Sequence, residues 1–279
     1  MILGLDFGLT NLDGVLIENG QMLRGWRQDT QEAASLELLQ NILVAQQIDL
    51  GNLKCIGTTG GRHKDLPESY QSIPIRKIGE AQAVGRGGVS MAQLEQALVV
   101  SAGTGTSMIA ARGSIFGHVT GSAVGGGTLL GLSKLLLGTS HPLEIAELAA
   151  RGNPAGVDST LQDVLGGGIG HLPSDATAVN LGRLVNLEHP SKEDLAAGLV
   201  TLVSQVIAVI ALNAAKAENL DRIVIVGHLV DLEPIRTAIE RVWEFYGVKQ
   251  APIIPESRGF ATALGAALEA SLGLSDLQS

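Results

Sequence analysis

The sequence predicts an α/β protein with two lobes, in which mixed sheets are flanked by helices. The chain has 279 residues, which is long for a single domain. Short apolar runs alternate with segments of helical periodicity, a pattern typical of mixed or parallel sheets. A unit of two apolar strands joined by a glycine-rich turn occurs near the start and again past residue 95. We therefore expect an N-terminal lobe over residues 1–95 and a C-terminal lobe over residues 96–279.

The first unit opens the chain with an apolar run at residues 2–7. Residues 14–18 and 21–28 should follow as antiparallel strands, because Asn19 and Gly20 between them form a typical hairpin turn. Helical character over residues 30–45 precedes two short strands, at residues 54–57 and 73–78. This order predicts a three-stranded antiparallel start that continues into a mixed sheet.

The second unit places strands at residues 97–101 and 107–111, and helices at residues 128–138 and 142–151. The closing part should alternate helices and strands. A long helix at residues 195–215 is followed by a strand at 222–226 and a helix at 232–246, and then by a further strand and a last helix at 259–272. The long helix is apolar enough for a membrane span. We predict a buried helix instead, because Gly, Ser, Gln and Asn residues interrupt it and a polar stretch precedes it.

Charge and cysteine content exclude several functional classes. The net charge of −9 argues against nucleic acid and anionic membranes as partners, since both are bound by clustered Lys and Arg. A phosphate site in this chain should therefore depend on backbone amides and Mg²⁺. The single cysteine, Cys55, excludes an intramolecular disulfide, and the first residues lack the features of a secretory signal. We expect a cytoplasmic protein.

A first candidate phosphate loop follows the first strand, in the sequence Asp6-Phe7-Gly8-Leu9-Thr10. Gly8 lets backbone amides approach a phosphate, Thr10 offers a hydroxyl, and Asp6 offers a carboxylate for Mg²⁺ or its bound water. An ordinary hairpin turn would also need the glycine, so this motif alone leaves both interpretations open.

Two further glycine loops carry hydroxyl groups. The second leaves an apolar strand and could form an anion-binding nest; it contains Gly103, Thr104, Gly105 and Thr106. The third opens a predicted helix, where exposed amides and the positive helix end would face a nucleotide; it contains Gly125, Gly126, Gly127 and Thr128. A flexible hinge is the alternative for the third loop.

Three other positions are candidates for chemistry. Glu80 lies between a strand and a helix, where it could act as a general base or simply stabilise the helix N-terminus. Gly227 and His228 end an apolar strand and could hold an adenine or ribose, or only form a turn. His118 could bind an acidic substrate or orient a phosphate, or could be a solvated loop residue. The histidines show no metal-ligand spacing, so we predict no zinc site.

Five motifs together resemble the type II pantothenate kinases in order and approximate spacing. They are LDFGLTN, GTTGGR, GEAQAVGRGG, VSAGTGTS and HVTGSAVGGGTLLGLSKLLLG. The resemblance covers residues 1–275, is most specific over residues 120–138, and extends to the closing GFATALGAAL.

This resemblance implies the two-lobed actin-like ATPase (ribonuclease H-like) fold shared by actin, sugar kinases and Hsp70. It implies a homodimer that phosphorylates the primary hydroxyl of pantothenate with ATP and Mg²⁺, the first step of coenzyme A biosynthesis. Glu80 would be the general base, and Asp6 would hold Mg²⁺ directly or through water. The three glycine loops would bind the phosphates, and Ser107 and His118 would bind the substrate.

Two departures from the family pattern affect the predicted site. The family usually has Lys where Asp13 stands, and Arg where His118 stands. Asp13 would repel a γ-phosphate unless another group compensates, and His118 cannot make a forked contact with a carboxylate. A BadF/hydantoinase-type ATPase, an N-acetylglucosamine-type sugar kinase and a non-catalytic nucleotide-binding regulator therefore remain alternatives.

Overall fold

A computed structural model describes residues 1–29, 32–170 and 172–275. The strands in these residues are β1 Ile2–Phe7, β2 Asn11–Glu18, β3 Gln21–Asp29, β4 Cys55–Gly60, β5 Ser69–Tyr70, β6 Ile73–Lys77, β7 Gln96–Ala102, β8 Thr106–Arg112, β9 Ile115–Ser122, β10 Ser159–Thr160, β11 Thr177–Val179 and β12 Ile223–Val226. The α-helices are α1 Leu36–Ala45, α2 Glu80–Ala92, α3 Gly126–Leu136, α4 Pro142–Arg151, α5 Leu161–Leu165, α6 Lys192–Ala217, α7 Glu233–Phe245 and α8 Ala261–Ser275.

Two sheets repeat one topology. The first sheet has the order β3-β2-β1-β4-β6-β5 and the second the order β12-β7-β8-β9. In each, three consecutive antiparallel strands form a meander whose first strand pairs in parallel with a later strand, β4 or β12. The predicted mixed sheets are therefore confirmed. The repeat that the sequence indicated is present in the strand order, although the two segments differ in sequence.

Helices cover both faces of each sheet. On the first sheet, α1 buries Leu39 and Ile42 in one core cluster, while α8 buries Ala263 and Leu264 against β2 on the opposite face. On the second sheet, α2 packs on one face, and the other face forms the largest apolar cluster with α3, α4, α6 and α7. Aliphatic residues dominate these layers, as expected from a chain in which only 3% of residues are aromatic.

The helices α2 and α8 cross each other between the two sheets. Their backbones come so close that a Cβ atom on Gly87 would overlap the carbonyl oxygen of Ala261, and one on Gly265 that of Ala83. An ion pair between Arg86 and Glu269 links the same two helices. The first sheet therefore carries the last helix of the chain, α8, and the second sheet carries α2, the helix that directly precedes β7.

The long apolar helix α6 lies inside the protein. It is the one helix among the described residues that is long and apolar enough to cross a membrane, but 61% of its apolar window is buried. Leu199, Val203 and Ile207 are fully buried and belong to the large cluster on the second sheet. The helix begins three residues before the predicted start, because Ser191 caps it by accepting a hydrogen bond from the amide of Asp194.

Several boundaries differ from the prediction. Strand β2 begins at Asn11 rather than residue 14, because its pairing with β1 continues to Phe7 and Leu12. Helix α1 begins only at Leu36, where Ser35 caps it, and residues 30 and 31 of the predicted helix lie outside the described part of the chain. The strand predicted between the last two helices was wrong, since Ile253 forms only an isolated bridge with Val224.

Candidate active site

The first two glycine loops meet between the sheets. Residues 8–10 connect β1 to β2, and residues 103–105 connect β7 to β8, so both loops are hairpin turns at corresponding places in the repeated topology. The hydroxyl oxygens of Thr10 and Thr104 lie 3.3 Å apart. Two glycine-hydroxyl turns from different sheets therefore come into contact with each other.

The third glycine loop packs against the second. The amide of Gly126 donates to the carbonyl of Gly103 at 2.8 Å, and the amide of Gly127 donates to that of Thr104 at 2.9 Å. A Cβ atom on Gly125 would lie 2.7 Å from the Thr104 carbonyl, so the approach requires glycine. The expectation that these amides are open to a nucleotide was wrong for Gly126 and Gly127. Their glycines instead fix the position of the second loop.

Side chains at the ends of these loops strengthen the same arrangement. The hydroxyl of Thr106 donates to the carbonyl of Val124 at 2.9 Å, and the hydroxyl of Thr128 donates to that of Ala123 at 3.2 Å. Leu9, at the tip of the first loop, is 77% exposed. Hydrogen bonds to the third loop thus hold the second loop in place, whereas the tip of the first loop is exposed to solvent.

Asp6 lies at the base of the first loop. It is mostly buried and pairs in register with Asp13 on β2 and with Thr59 on β4. Burial, and then the negative charges of Asp13 and Glu80, raise the pKa of Asp6 to about 7, while the charge of His228 acts in the opposite direction. The carboxyl of Asp6 is therefore harder to ionise than that of an ordinary aspartic acid.

Glu80 is the first residue of α2. It follows Gly79 in extended conformation and is exposed, at a helix end where the backbone dipole favours a negative charge. Its charge reaches the Asp6 carboxyl strongly enough to raise the pKa of that group. Glu80, the predicted base, and Asp6, the predicted metal ligand, therefore lie close enough for their charges to interact.

Asp13 has a partner that the sequence did not reveal. Its carboxylate lies 2.9 Å from Nε2 of His228, a residue that follows β12 in the second sheet. Nδ1 of His228 contacts the Asp231 carboxylate, also at 2.9 Å. Both ring nitrogens of His228 are thus engaged within the protein. The negative charge at position 13 is balanced by an imidazole from the opposite sheet.

Gly227 is required by its conformation. Its φ angle of 101° is one that side-chain-bearing residues rarely adopt, and a Cβ atom there would overlap the carbonyl oxygen of Ala102. Its amide donates to the carbonyl of Arg258 at 2.9 Å. These contacts place the end of β12 directly beside the second loop.

The two predicted substrate residues lie on neighbouring strands of the second sheet, Ser107 on the inner strand β8 and His118 on the edge strand β9. Ser107 on β8 pairs in register with Gly121 on β9. A Cβ atom on Gly121 would lie 3.7 Å from Nε2 of His118, so the exposed imidazole extends towards the Gly121 position. Ser107 and His118 are therefore near neighbours, beside the loop that carries Thr104 and Thr106.

Sequence reasoning missed Thr59 as a site residue. Its hydroxyl is buried beside Asp6 and has no hydrogen-bond partner in the described part of the chain. The motif GTTGGR was informative, because Thr59 precedes Gly60, whose φ angle is 86°. A glycine turn directly after a strand is the same pattern that indicated the other loops. A Cβ atom on Gly60 would lie 2.6 Å from the Asp6 carboxylate.

Solved structures similar to this one define its class. The activator of the 2-hydroxyisocaproyl-CoA dehydratase from Clostridium difficile, with bound ADPNP, superposes with a TM-score of 0.69 at 19% identity, covering 99% of this chain and 96% of that one. A ROK family glucokinase from Streptomyces griseus, in complex with glucose and AMPPNP, gives a TM-score of 0.62 at 14% identity, with 98% and 99% coverage. The chain has the two-sheet fold of the actin-like ATPases.

Sequence comparison gives the family within that class. The family model described as Fumble matches residues 90–269, and the chain belongs to this family. A type II pantothenate kinase from a strain of Bacillus cereus is 28% identical over 229 residues, which is 79% of this chain and 82% of the relative. Pantothenate kinase 1 of Oryza sativa subsp. japonica is 36% identical over 181 residues, 61% of this chain and 27% of the relative.

Proposed function

We propose that this protein transfers the γ-phosphoryl group of ATP to the primary hydroxyl of pantothenate, the first step of coenzyme A biosynthesis. The observation that carries the proposal is the meeting of the two hairpin loops, with Thr10 and Thr104 3.3 Å apart and Asp6 at the base of the first. Membership of the Fumble family and similarity to pantothenate kinases support the acceptor. The chain is an ATP-dependent kinase.

The phosphate chain of ATP would lie along the first and second loops, where the hydroxyls of Thr10 and Thr104 meet. Thr10 and Thr104 would each direct a hydroxyl to phosphate oxygens, and the remaining turn amides would add donors. Because the third loop already pairs with Gly103 and Thr104, it would hold the second loop in place rather than contact phosphate through those amides. Such prior positioning is the main source of catalysis in phosphoryl transfer.

Mg²⁺ suits the residues at the base of the first loop. Asp6 offers a carboxylate, and Thr59 offers a buried hydroxyl that has no hydrogen-bond partner in the described part of the chain; both are the hard oxygen ligands that this ion prefers. Among the described residues, no cluster of three or more acidic, His or Cys side chains could form a complete cage. Asp6 would therefore hold the ion together with nucleotide phosphates and water. Bound there, Mg²⁺ would neutralise charge on the phosphoryl oxygens.

Glu80 would be the general base of the transfer. Its carboxylate would accept the proton of the pantothenate hydroxyl as that oxygen bonds to the γ-phosphorus and the bond to the β-phosphate oxygen breaks. The products are ADP and the phosphate ester, and the proton stays on Glu80 until water removes it. The exposed position of Glu80 agrees with both steps.

Substrate orientation would fall to Ser107 and His118. Pantothenate carries a carboxylate, and a protonated imidazole or a hydroxyl can donate to it, although more weakly than a forked guanidinium. We further propose that the enzyme is a cytoplasmic homodimer with no nucleic acid or membrane partner. Its lobes would be residues 1–95 and 96–279, with α8 packed on the sheet of the first lobe and α2 on the sheet of the second.

A measurement of ADP release tests this assignment. Purified protein with MgATP is supplied with pantothenate, pantetheine, N-acetylglucosamine or no acceptor, and ADP is followed by a coupled assay. Pantothenate should stimulate release at least tenfold over the reaction without acceptor. Stimulation only by the sugar would replace the proposal by a sugar kinase, acceptor-independent release by an idle ATPase, and no release in any well by a non-catalytic binder.

A further inference from the structure

A row of four charged side chains in contact joins the two sheets close to the phosphate loops. Asp13 belongs to β2 of the first sheet, and His228 and Asp231 follow β12 of the second. Their contacts run from the Asp13 carboxylate to Nε2 of His228 at 2.9 Å, and from Nδ1 of His228 to Asp231 at 2.9 Å. Nε of Arg258 then lies 3.0 Å from the other oxygen of Asp231.

The packing around His228 fixes the ring between these carboxylates. Phe260 contacts it edge-on, with ring centroids 5.6 Å apart. Gly259 lies directly against the ring, and a Cβ atom there would lie 2.8 Å from Nε2 and still closer to Cε1 and Nδ1. The side chains of His228 and Asp13 are only 20% and 12% exposed. A mostly buried contact loses less of its strength to solvent than a surface ion pair.

The charge of the ring follows from its two partners. A neutral imidazole can donate only one hydrogen bond, so both carboxylates are satisfied only by the imidazolium form. Burial alone would lower the pKa of His228, as does the charge of Arg27, but the hydrogen bonds to Asp13 and Asp231 outweigh both and raise it to about 9. The charged groups acting in this region are thus Asp13, Asp231, Arg27, Arg258 beyond Asp231, and Asp6.

The contact between Asp13 and His228 lies close to the bases of both phosphate loops. Asp13 pairs in register with Asp6 at the base of the first loop. His228 follows Gly227, which packs against Ala102 at the base of the second loop. A single hydrogen bond between Asp13 and His228 therefore connects the bases of the two loops whose hydroxyls meet at Thr10 and Thr104.

We propose that His228 is a positioning residue, which latches the first sheet to the second through Asp13 and so sets the distance between the two phosphate loops. The proposal rests on the proposed function in one respect, since it assumes that those loops bind ATP. It assigns no contact with substrate to His228. Its role is to set the distance between the two loops before the nucleotide binds.

A double-mutant cycle on ATP affinity tests the latch. His228→Gln and Asp13→Asn each remove the charged hydrogen bond and keep the size of the side chain, so each should weaken ATP binding about tenfold. The double variant should lose no more than the single variants, because the same contact is already broken. Arg112→Gln is the matched control, since it breaks an ion pair with Glu218 that lies away from both loops, and its ATP affinity should match the wild type.

A second measurement does not depend on ATP. The radius of gyration of the free protein, from small-angle X-ray scattering, should increase in His228→Gln and Asp13→Asn and not in Arg112→Gln. Nuclear magnetic resonance of the His228 ring should show its titration midpoint fall towards the ordinary histidine value in Asp13→Asn. Circular dichroism establishes that each variant is folded.

The outcomes separate the latch from the proposed function. Unchanged ATP affinity in both single variants, or losses that simply add in the double variant, would overturn the latch. If the wild type binds no ATP, the proposed function fails, and the scattering and ring titration alone decide the latch. A folded His228→Gln variant with unchanged radius of gyration would then refute it.

Discussion

Replacing Asp6 by Asn should stabilise the free protein and abolish its activity. Burial and neighbouring carboxylates raise the pKa of Asp6 from the ordinary value of 3.8 to about 7. The unfolded chain ionises at the ordinary value, so between about pH 4 and 7 unfolding releases a proton that the folded protein retains. Stability contributed by the protonated acid is therefore present below pH 4 and is lost as the pH rises towards 7.

The size of the effect follows from the displacement of the pKa. At about 1.36 kcal/mol for each pKa unit, the ionised carboxylate costs the folded state at most about 4 kcal/mol above pH 7. Solvent screens part of this cost, because Asp6 is not fully buried, and we expect about 1–3 kcal/mol. Asn cannot ionise, so Asp6→Asn should be more stable than the wild type by this amount at pH 8 and nearly equal to it at pH 4.

Urea unfolding at pH 4 and pH 8, in EDTA and without nucleotide, measures the difference. Asp221→Asn, at an exposed position before β12, is the control and should change stability little at either pH. His228 remains protonated at both values, because its pKa of about 9 lies above them. An Asp6→Asn variant that is less stable than the wild type at pH 8 would contradict the reasoning, since it would mean that the protein stabilises the ionised carboxylate.

Three further predictions test other parts of the account. Glu80→Gln should lower kcat by about 10²-fold or more with ATP affinity unchanged, as steady-state kinetics and calorimetry would show; full turnover would remove Glu80 from the mechanism. Gly265→Ala should destabilise the protein by about 3 kcal/mol or more in urea unfolding, because its Cβ overlaps Ala83; a loss below about 1 kcal/mol would mean that α2 and α8 can separate at little cost. His118→Arg should lower the KM for pantothenate, and no gain would mean that the carboxylate binds elsewhere.

The sequence was sufficient for most of the two sheets. Alternating apolar runs and glycine turns predicted β1, β2 and β3 and their counterparts β7 and β8, because these elements depend on local pattern. Strand β9, which carries His118, was not predicted. The strand predicted near Ile253 was wrong because strand pairing depends on residues distant in sequence. An apolar run alone does not show how many of its residues will pair with a neighbouring strand.

The sequence could not give the contacts between distant segments. Nothing local to Asp13 indicates His228, which lies 215 residues further along the chain, and the compensating charge became visible only with the fold. The pairing of Gly126 with Gly103 is similar, because open amides and paired amides look alike in sequence. The close packing of α2 and α8 depends on Gly87 and Gly265. The sequence shows these glycines but does not show which residues they pack against.

Transfer of label from [γ-³²P]ATP tests the central claim most directly. Wild-type protein, Mg²⁺, labelled ATP and pantothenate are incubated, and the products are separated by chromatography and identified by mass spectrometry. The account predicts label on the primary hydroxyl of pantothenate, one ADP for each labelled product, and almost none with Glu80→Gln. Label recovered only as inorganic phosphate, with pantothenate unmodified, would contradict it.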